Sequence, residues 1–272
     1  MADKIDTIDG AKIQHGPLNN RIYVMRLDPA ETGRLIGALD TMARENDYGK
    51  IFAKIPATRW NEFRLAGYIR EAAVPALFNG KTDGYFIAKY MSPHRQGDAR
   101  VNAFRPPEKI RQKPRRQNPR RYAVEPCTPK DAAAMSAVFR QTFATYPFPI
   151  QEAAYLKMMM AEGVRYFCIR AENTIAALAA MEIDANHGNC EMTDFATLPP
   201  WRGKGFAGHL LDYMDKAAAS AGIKTAYTIA RAGSPGMNVV FNRRAYRFGG
   251  VLINNSQICG SIQNMSVWYK HL

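Results

Sequence analysis

The chain reads as an α/β (α+β) protein in two parts, and three observations predict this. Strand-like and helix-like periodicities alternate along its 272 residues. A basic, proline-rich stretch at 100–121 interrupts them. A glycine-bearing turn, Arg202-Gly203-Lys204-Gly205-Phe206-Ala207, carries a strand-like run into a helix-like one. The division predicted is an N-terminal α/β domain at 1–99, a linker at 100–121 and a C-terminal domain at 122–272.

In the N-terminal part, Arg21 to Leu27 alternates as a strand does. Asp28-Pro29-Ala30-Glu31 is a helix start, with Asp28 as N-cap, proline at the first helical position and Glu31 closing a capping box. Leu35, Leu39 and Met42 then share a face. A strand at Lys50 to Lys54 precedes a helix predicted from Thr58 through Ile69, with Trp60, Phe63, Leu65 and Ile69 apolar. Strands at Ala73 to Phe78 and Tyr85 to Met91 complete a small sheet, and Asp83-Gly84 marks a turn. Nothing in this half shows catalytic spacing.

Beyond the linker the pattern predicts a strand at Tyr122 to Glu125, a helix opened by Thr128-Pro129-Lys130-Asp131 and another around Glu152 to Met160. Val164 to Arg170 and Ile175 to Asp184 form a hairpin across Glu172-Asn173, and Glu191 to Thr197 is the next strand. After the glycine turn come a helix at Gly208 to Ala219, a strand at Ala226 to Arg231, a helix at Asn238 to Arg244, and strands at Val251 to Ile253 and Ser266 to Tyr269.

Composition narrows the function. No apolar run approaches the ~18 residues of a membrane span, and the N-terminus is acidic where a signal peptide is basic then apolar, so a cytoplasmic protein without a membrane partner is expected. The four cysteines are far apart with no Cys-x-x-Cys pair, and the five histidines show no ligand spacing, so no metal is expected. The net charge of +13 suggests nucleic acid until it is located. Nine basic residues against the single acid Glu108 lie between Arg100 and Arg121, among four prolines. That composition is a solvated connector, and no nucleic-acid partner is expected.

The turn at 202–207 carries the chemistry. Glycines at 203 and 205 let backbone approach an anion, and the first turn of the following helix offers unpaired N–H groups and a positive dipole end. A pyrophosphate would be held by Arg202, Lys204 and the amides of Gly203, Gly205, Phe206 and Ala207; the bland alternative is a plain strand-to-helix turn. Gly203-x-Gly205-x-x-Gly208 matches a dinucleotide fingerprint formally, but it follows four candidate strands whereas that fingerprint opens its domain.

The pattern Arg-x-x-Gly-x-Ala, with Pro199 before it, resembles the acetyl-CoA loop of the GCN5-related N-acetyltransferase (GNAT) superfamily. The resemblance implies a GNAT fold for 122–272, a mixed and mostly antiparallel central sheet flanked by helices, with acetyl-CoA as cosubstrate. In that superfamily the strand before the loop splays from its neighbour, and Phe195, Ala196 and Thr197 would bind thioester and pantetheine through backbone N–H groups. Glu191, six residues before Thr197, stands where histone-acetylating members place a glutamate base. Asp194 is the second catalytic candidate, on the opposite strand face unless a bulge intervenes. Asn238 and Phe241, in the last helix, would also meet the cofactor. Phe241 occupies the place of a tyrosine that can protonate the leaving thiolate, which a phenyl ring cannot do.

Further strings resemble one family within the superfamily, the β-lysine N-acetyltransferases: Thr193-Asp194-Phe195-Ala196-Thr197, Tyr227-Thr228-Ile229-Ala230-Arg231-Ala232, Gly236-Met237-Asn238, Leu252-Ile253-Asn254-Asn255 and Met265-Ser266-Val267-Trp268-Tyr269-Lys270. Lys54-Ile55-Pro56-Ala57 and Tyr85-Phe86-Ile87-Ala88-Lys89-Tyr90 extend the likeness to the N-terminal half. The resemblance implies acetylation of the terminal amine of β-lysine, a small diamino acid, to a neutral solute used against osmotic stress. It also implies a functional link to lysine 2,3-aminomutase. Glu191 and Asp194 would then meet the ammonium groups, Arg231 the carboxylate, and Asn254 or Asn255 either. A homodimer is allowed. The alternatives are an acetyltransferase for a polyamine or protein amine, and a catalytically inactive GNAT module binding RNA through 100–121.

Overall fold

The computed structural model describes residues 3–27, 32–97 and 122–272. The helix start at Asp28 to Glu31 and the basic stretch at 100–121 lie outside the described residues.

The chain opens with a hairpin that the sequence reading passed over, β1 (Lys4–Ile8) and β2 (Ala11–Gly16), turned by Asp9 and Gly10, both at positive φ. Strand β3 (Arg21–Arg26) follows, then helix α1 (Thr32–Glu45) and strand β4 (Lys50–Pro56). Helix α2 covers only Trp60–Leu65, shorter than expected. Leu65 is among the exposed large apolar residues, so its apolarity reports no buried helix face, and Ile69 already belongs to β5 (Ile69–Phe78). Strand β6 (Thr82–Tyr90) contains Asp83-Gly84. The turn lies at Asn79 and Gly80 instead, and Asp83 accepts a hydrogen bond from the Ala76 amide (2.9 Å). A short helix α3 (Pro93–Gln96) ends this part.

Strand β7 (Val124–Pro126) leads to the capping box of Thr128 and Asp131, which opens helix α4 (Ala132–Thr142). Helix α5 (Ala153–Ala161), the hairpin of β8 (Arg165–Ala171) and β9 (Thr174–Asp184), and β10 (Asn189–Thr197) follow in the predicted order. So do α6 (Phe206–Ser220), β11 (Thr225–Arg231) and α7 (Pro235–Arg243). The last strands, β12 (Arg247–Ile258) and β13 (Ser261–His271), are far longer than expected, because bulges carry β12 past Asn254.

These strands form one sheet in the order β1-β2-β3-β4-β6-β5-β12-β13-β11-β10-β9-β8-β7. Its pairs are antiparallel except β3 with β4 and β10 with β11. The join between the halves is narrow, a single pairing of Gly250 with Ala72. A Cβ on Gly250 would lie 2.7 Å from the Ala72 Cα, so only glycine permits the approach.

Burial binds the halves more widely than pairing does. One apolar cluster unites Phe52, Val74 and Phe86 with Phe139 of α4, Leu156 of α5, Leu178 and Tyr227, and the Phe86 and Tyr227 rings stand 5.7 Å apart. A second cluster lies beneath α6, around Leu210, Met214 and Trp268, and a third beneath α1, around Leu35 and Leu39. The first cluster floors a cleft between the two halves. Among the described residues no helix is long and apolar enough to cross a membrane.

Candidate active site

The central feature is a fork in the sheet. Strands β10 and β11 pair in parallel only from Asn189 to Glu191, the last pair being Glu191 with Tyr227. Beyond it β10 stays with β9, through Ala196 opposite Leu178 and Thr197 opposite Ala177, while β11 stays with β13. Phe195, Ala196 and Thr197 therefore run along the open side of the fork. Glu191 sits at its crotch, beside the Tyr227 hydroxyl and the Ile229 amide, both of which favour its ionised form.

Strand β10 then gains one residue on β9 between Thr193 and Ala196. Asp194 is in the bulge, at φ 55°. The extra residue resets the alternation, so Asp194 lines the same cleft as Glu191 and Thr193. Its Oδ1 accepts a hydrogen bond from the Tyr146 hydroxyl (2.6 Å). A third carboxylate, Glu182, stands opposite Glu191 in the β9 register and also lines the cleft. Counting back from the tight turn at 185–188 would have placed it there, a signal that the sequence reading did not use.

Asp194 is buried, Glu191 half-buried and Glu182 exposed, and the cleft raises each of them above the ordinary carboxylate range. Glu191 is pushed up to about 7 by desolvation, against the pull of Lys54, the Tyr227 hydroxyl and the Ile229 amide. Glu182 is raised by partial desolvation and by the neighbouring Glu191 and Asp194 charges. Asp194 rises to about 6 through desolvation, partly offset by the Tyr146 and Thr193 hydroxyls. Lys54 reaches this group from β4: its Nζ donates to the Tyr227 hydroxyl oxygen (2.9 Å) and lies 4.8 Å from that ring's centre. The result is a carboxylate poised near neutrality, as general-base catalysis requires.

The cleft encloses about 710 Å³, open mouth included. Its walls are Arg21, Tyr23 and Met25 of β3 with Phe52 of β4, then Tyr146, Phe148 and Ile150 between α4 and α5. Tyr155, Met159 and Tyr166 continue it, and Asn255, Ser256 and Met265 close it. The N-terminal wall is built from residues that carry no local motif for this role. Asn255 lines the cleft, whereas Asn254 turns its amide to the Arg95 carbonyl (2.9 Å). Arg231, at the end of β11, falls two residues beyond the lining Ile229 on the same strand face and is not itself among the lining residues.

The turn after the fork has the shape of an anion cradle. Gly203 and Gly205 have φ of 75° and 85°, and a Cβ on Gly205 would meet nothing within 4 Å, so the space over the turn is open. Helix α6 starts at Phe206 with Ala207 beside it, with no capping side chain and no acid in its first turn. Its N-terminal amides and dipole are left for a ligand. Lys204 lies over the Trp201 ring (3.9 Å), and Arg202 Nε donates to the Thr197 carbonyl (3.1 Å), tying the turn to the end of β10. These features fit a pyrophosphate.

Asn238 and Phe241 have other work. Asn238 Nδ2 donates to the carbonyls of Arg231 (3.0 Å) and Ser234 (2.8 Å), and its Oδ1 accepts from Ser266 (2.5 Å) and Trp268 (2.9 Å). Its hydrogen-bonding capacity is consumed in pinning α7 to β11 and β13, which argues against cofactor binding. Phe241 is buried edge-on against Phe195, ring centres 5.6 Å apart, and Tyr246 donates to Asp215 (2.7 Å) inside the core. Neither presents a proton to the fork. Among the described residues no group of three or more His, Cys, Asp or Glu is disposed to hold a metal.

Comparison with known proteins accords with this geometry. The acetyltransferase (GNAT) family model matches residues 133–247. The chain is 32% identical to a beta-lysine N(6)-acetyltransferase of Methanococcus maripaludis, over 98% of each chain. It is 29% identical to that of Methanosarcina mazei, over 88% of this chain and 97% of the relative. Among solved structures, a GNAT superfamily phosphinothricin acetyltransferase from Sinorhizobium meliloti in complex with AcCoA shares the fold, with a TM-score of 0.50 at 14% identity, over 56% of this chain and 88% of that one.

Proposed function

The chain belongs to the beta-lysine N(6)-acetyltransferase family of GNAT acyltransferases, and from that premise we propose that it acetylates the terminal amine of β-lysine to give Nε-acetyl-β-lysine. That product is a neutral zwitterion suited to a compatible solute, and its precursor would come from a lysine 2,3-aminomutase. The observation that carries the reading is the carboxylate group of Glu191, Asp194 and Glu182 lining one cleft at the crotch of the fork.

Acetyl-CoA supplies the activated thioester. Its pyrophosphate would rest on the cradle of Gly203, Gly205, Phe206 and Ala207 with Arg202 and Lys204 nearby, and the backbone of Phe195, Ala196 and Thr197 would meet the thioester and pantetheine along the open edge. The protein's part is then proton control. An alkyl ammonium has a reference pKa near ~10.4, so it enters charged. Glu191 takes its proton at the carboxylate, with Tyr227 and the Ile229 amide beside it, while Asp194 attracts the cationic substrate. Tyr146, Phe148 and Tyr155 flank its methylene chain and exclude water.

Thiol release from acetyl-CoA with β-lysine, α-lysine, putrescine and a basic peptide tests the proposal. β-Lysine should have a specificity constant above that of each other amine by about 10-fold or more, since one displaced ammonium leaves a buried partner unpaired. Equal constants for all four would reduce the activity to general amine acetylation.

A further inference from the structure

Among the described residues Arg21 is a buried cation without an ion pair, Asp3 and Glu71 acting on it only from a distance. It is 2% exposed, yet no carboxylate lies within ion-pair distance of it among the described residues. Its Nη1 donates to the Asn255 carbonyl and to Ser256 Oγ (3.0 Å), both neutral. On the other side of the fork, Nη2 has only a 3.5 Å contact to Gln14, and Nε has no partner. Buried charges are ordinarily paired, because an isolated one forfeits its hydration without return.

The surroundings intensify the demand for an anion. Arg95, also buried, shares no ion pair among the described residues and adds its charge nearby, while Glu71 is already bound to Lys50 (2.8 Å), to Tyr90 and to the Ile253 amide (2.9 Å). The guanidinium is held flat by rings, 5.3 Å from the Tyr23 centre and 5.7 Å from that of Phe52. A planar, fixed fork with one edge unsatisfied is the geometry that accepts a carboxylate through two parallel hydrogen bonds. Tyr23 feels the charges of Glu191, Glu182 and Arg21 together, so it stands between the acidic and basic ends of the cleft.

We propose that Arg21, supplied by β3 outside the acetyltransferase core, receives the carboxylate of the amino-acid substrate, so that the N-terminal strands select amino acids over plain diamines. This rests on the acetyltransferase reading above and names the group that reads the substrate's acid end. It replaces Arg231 in that task and gives the N-terminal part a direct place in the cleft.

The test compares β-lysine with 1,4-diaminopentane, which keeps both amines at the same spacing and lacks only the carboxylate, as substrates of the full chain. Wild type should prefer β-lysine; no preference would overturn the β-lysine reading and this inference with it. Arg21→Gln should lower the β-lysine specificity constant about 20-fold or more through KM, and leave 1,4-diaminopentane and the acetyl-CoA KM within about twofold. Arg21→Lys should restore part of the loss. A wild-type preference that survives in Arg21→Gln, or an equal loss for both substrates in a folded variant, would overturn the inference alone. Should Arg21→Gln not fold, wild type itself decides. 6-Aminohexanoate should protect it from thermal unfolding where 1-aminohexane does not, and equal protection by the two would overturn the proposal.

Discussion

Glu191 on β10 and Glu182 on β9 stand directly opposite each other in an antiparallel register, both facing the cleft. Like charges so placed do not ionise independently, and the pair releases its protons in two coupled steps, both raised above the ordinary carboxylate range. One carboxylate is thus available as a base at neutral pH while its neighbour still holds a proton.

The rate should follow the first of these steps. Glu191 must be ionised to accept a proton, so turnover should rise with pH through about 7. Glu191→Gln should lower turnover about 10²-fold or more, with the rising limb near pH 7 gone and the deficit shrinking toward the amine's own pKa. A pH-rate profile of unchanged shape in the variant would remove Glu191 as the base.

Lys54 should tune that base from the other half of the chain. Its ammonium, hydrogen-bonded to Tyr227 and close to Glu191, favours the ionised carboxylate. Lys54→Met should raise the pKa of Glu191 further and move the rising limb to higher pH. Turnover at pH 7 should fall about 3- to 10-fold, with about wild-type turnover at pH 9. Acetyl-CoA affinity, measured by titration calorimetry, should not change.

How far the sequence anticipated this site depends on the range of each interaction. The cradle at 202–207, the capping box at Thr128 and Asp131, and the strand carrying Glu191 are local patterns, legible because their causes lie within a few residues. Asp194 needed the bulge, which costs only a positive φ and leaves no mark in hydrophobic alternation. Glu182 was reachable through the turn at 185–188. Arg21 and Lys54 were not reachable, because their roles arise when β3 and β4 close over a fork about 170 residues further along the chain. The helix expected to run to Ile69 failed for the opposite reason: Leu65 and Ile69 are apolar but exposed, so periodicity alone misjudged burial.

Stability should carry the signature of the buried acids. Asp194 titrates at about 6 in the fold, above the ordinary aspartate value. Its protonated form is favoured in the folded state, so its contribution is fully present below the unfolded pKa near ~4 and is lost as pH rises through about 6. Asp194→Asn removes the ionisation, tolerates the left-handed bulge and can still meet Tyr146. The melting temperature of the variant relative to wild type should therefore rise between pH 5 and pH 8, by about 2–4 °C for each ~1 kcal/mol in a chain of this size. A pH-independent difference would mean that Asp194 is ionised as readily in the fold as outside it.

The cradle itself should be separable from the fold. Gly205 has φ 85° at the start of α6, and the position of its missing Cβ is open. Aspartate is among the residues that visit this backbone region, at a cost of about 1–2 kcal/mol, so Gly205→Asp should fold and melt cooperatively. Its carboxylate would favour the helix N-terminus for the same reason that a pyrophosphate does, and it would occupy the same space with the same sign of charge. Acetyl-CoA binding should fall beyond detection by calorimetry, while 6-aminohexanoate still protects the variant from thermal unfolding. Wild-type acetyl-CoA affinity in folded Gly205→Asp would place the cofactor's phosphates elsewhere.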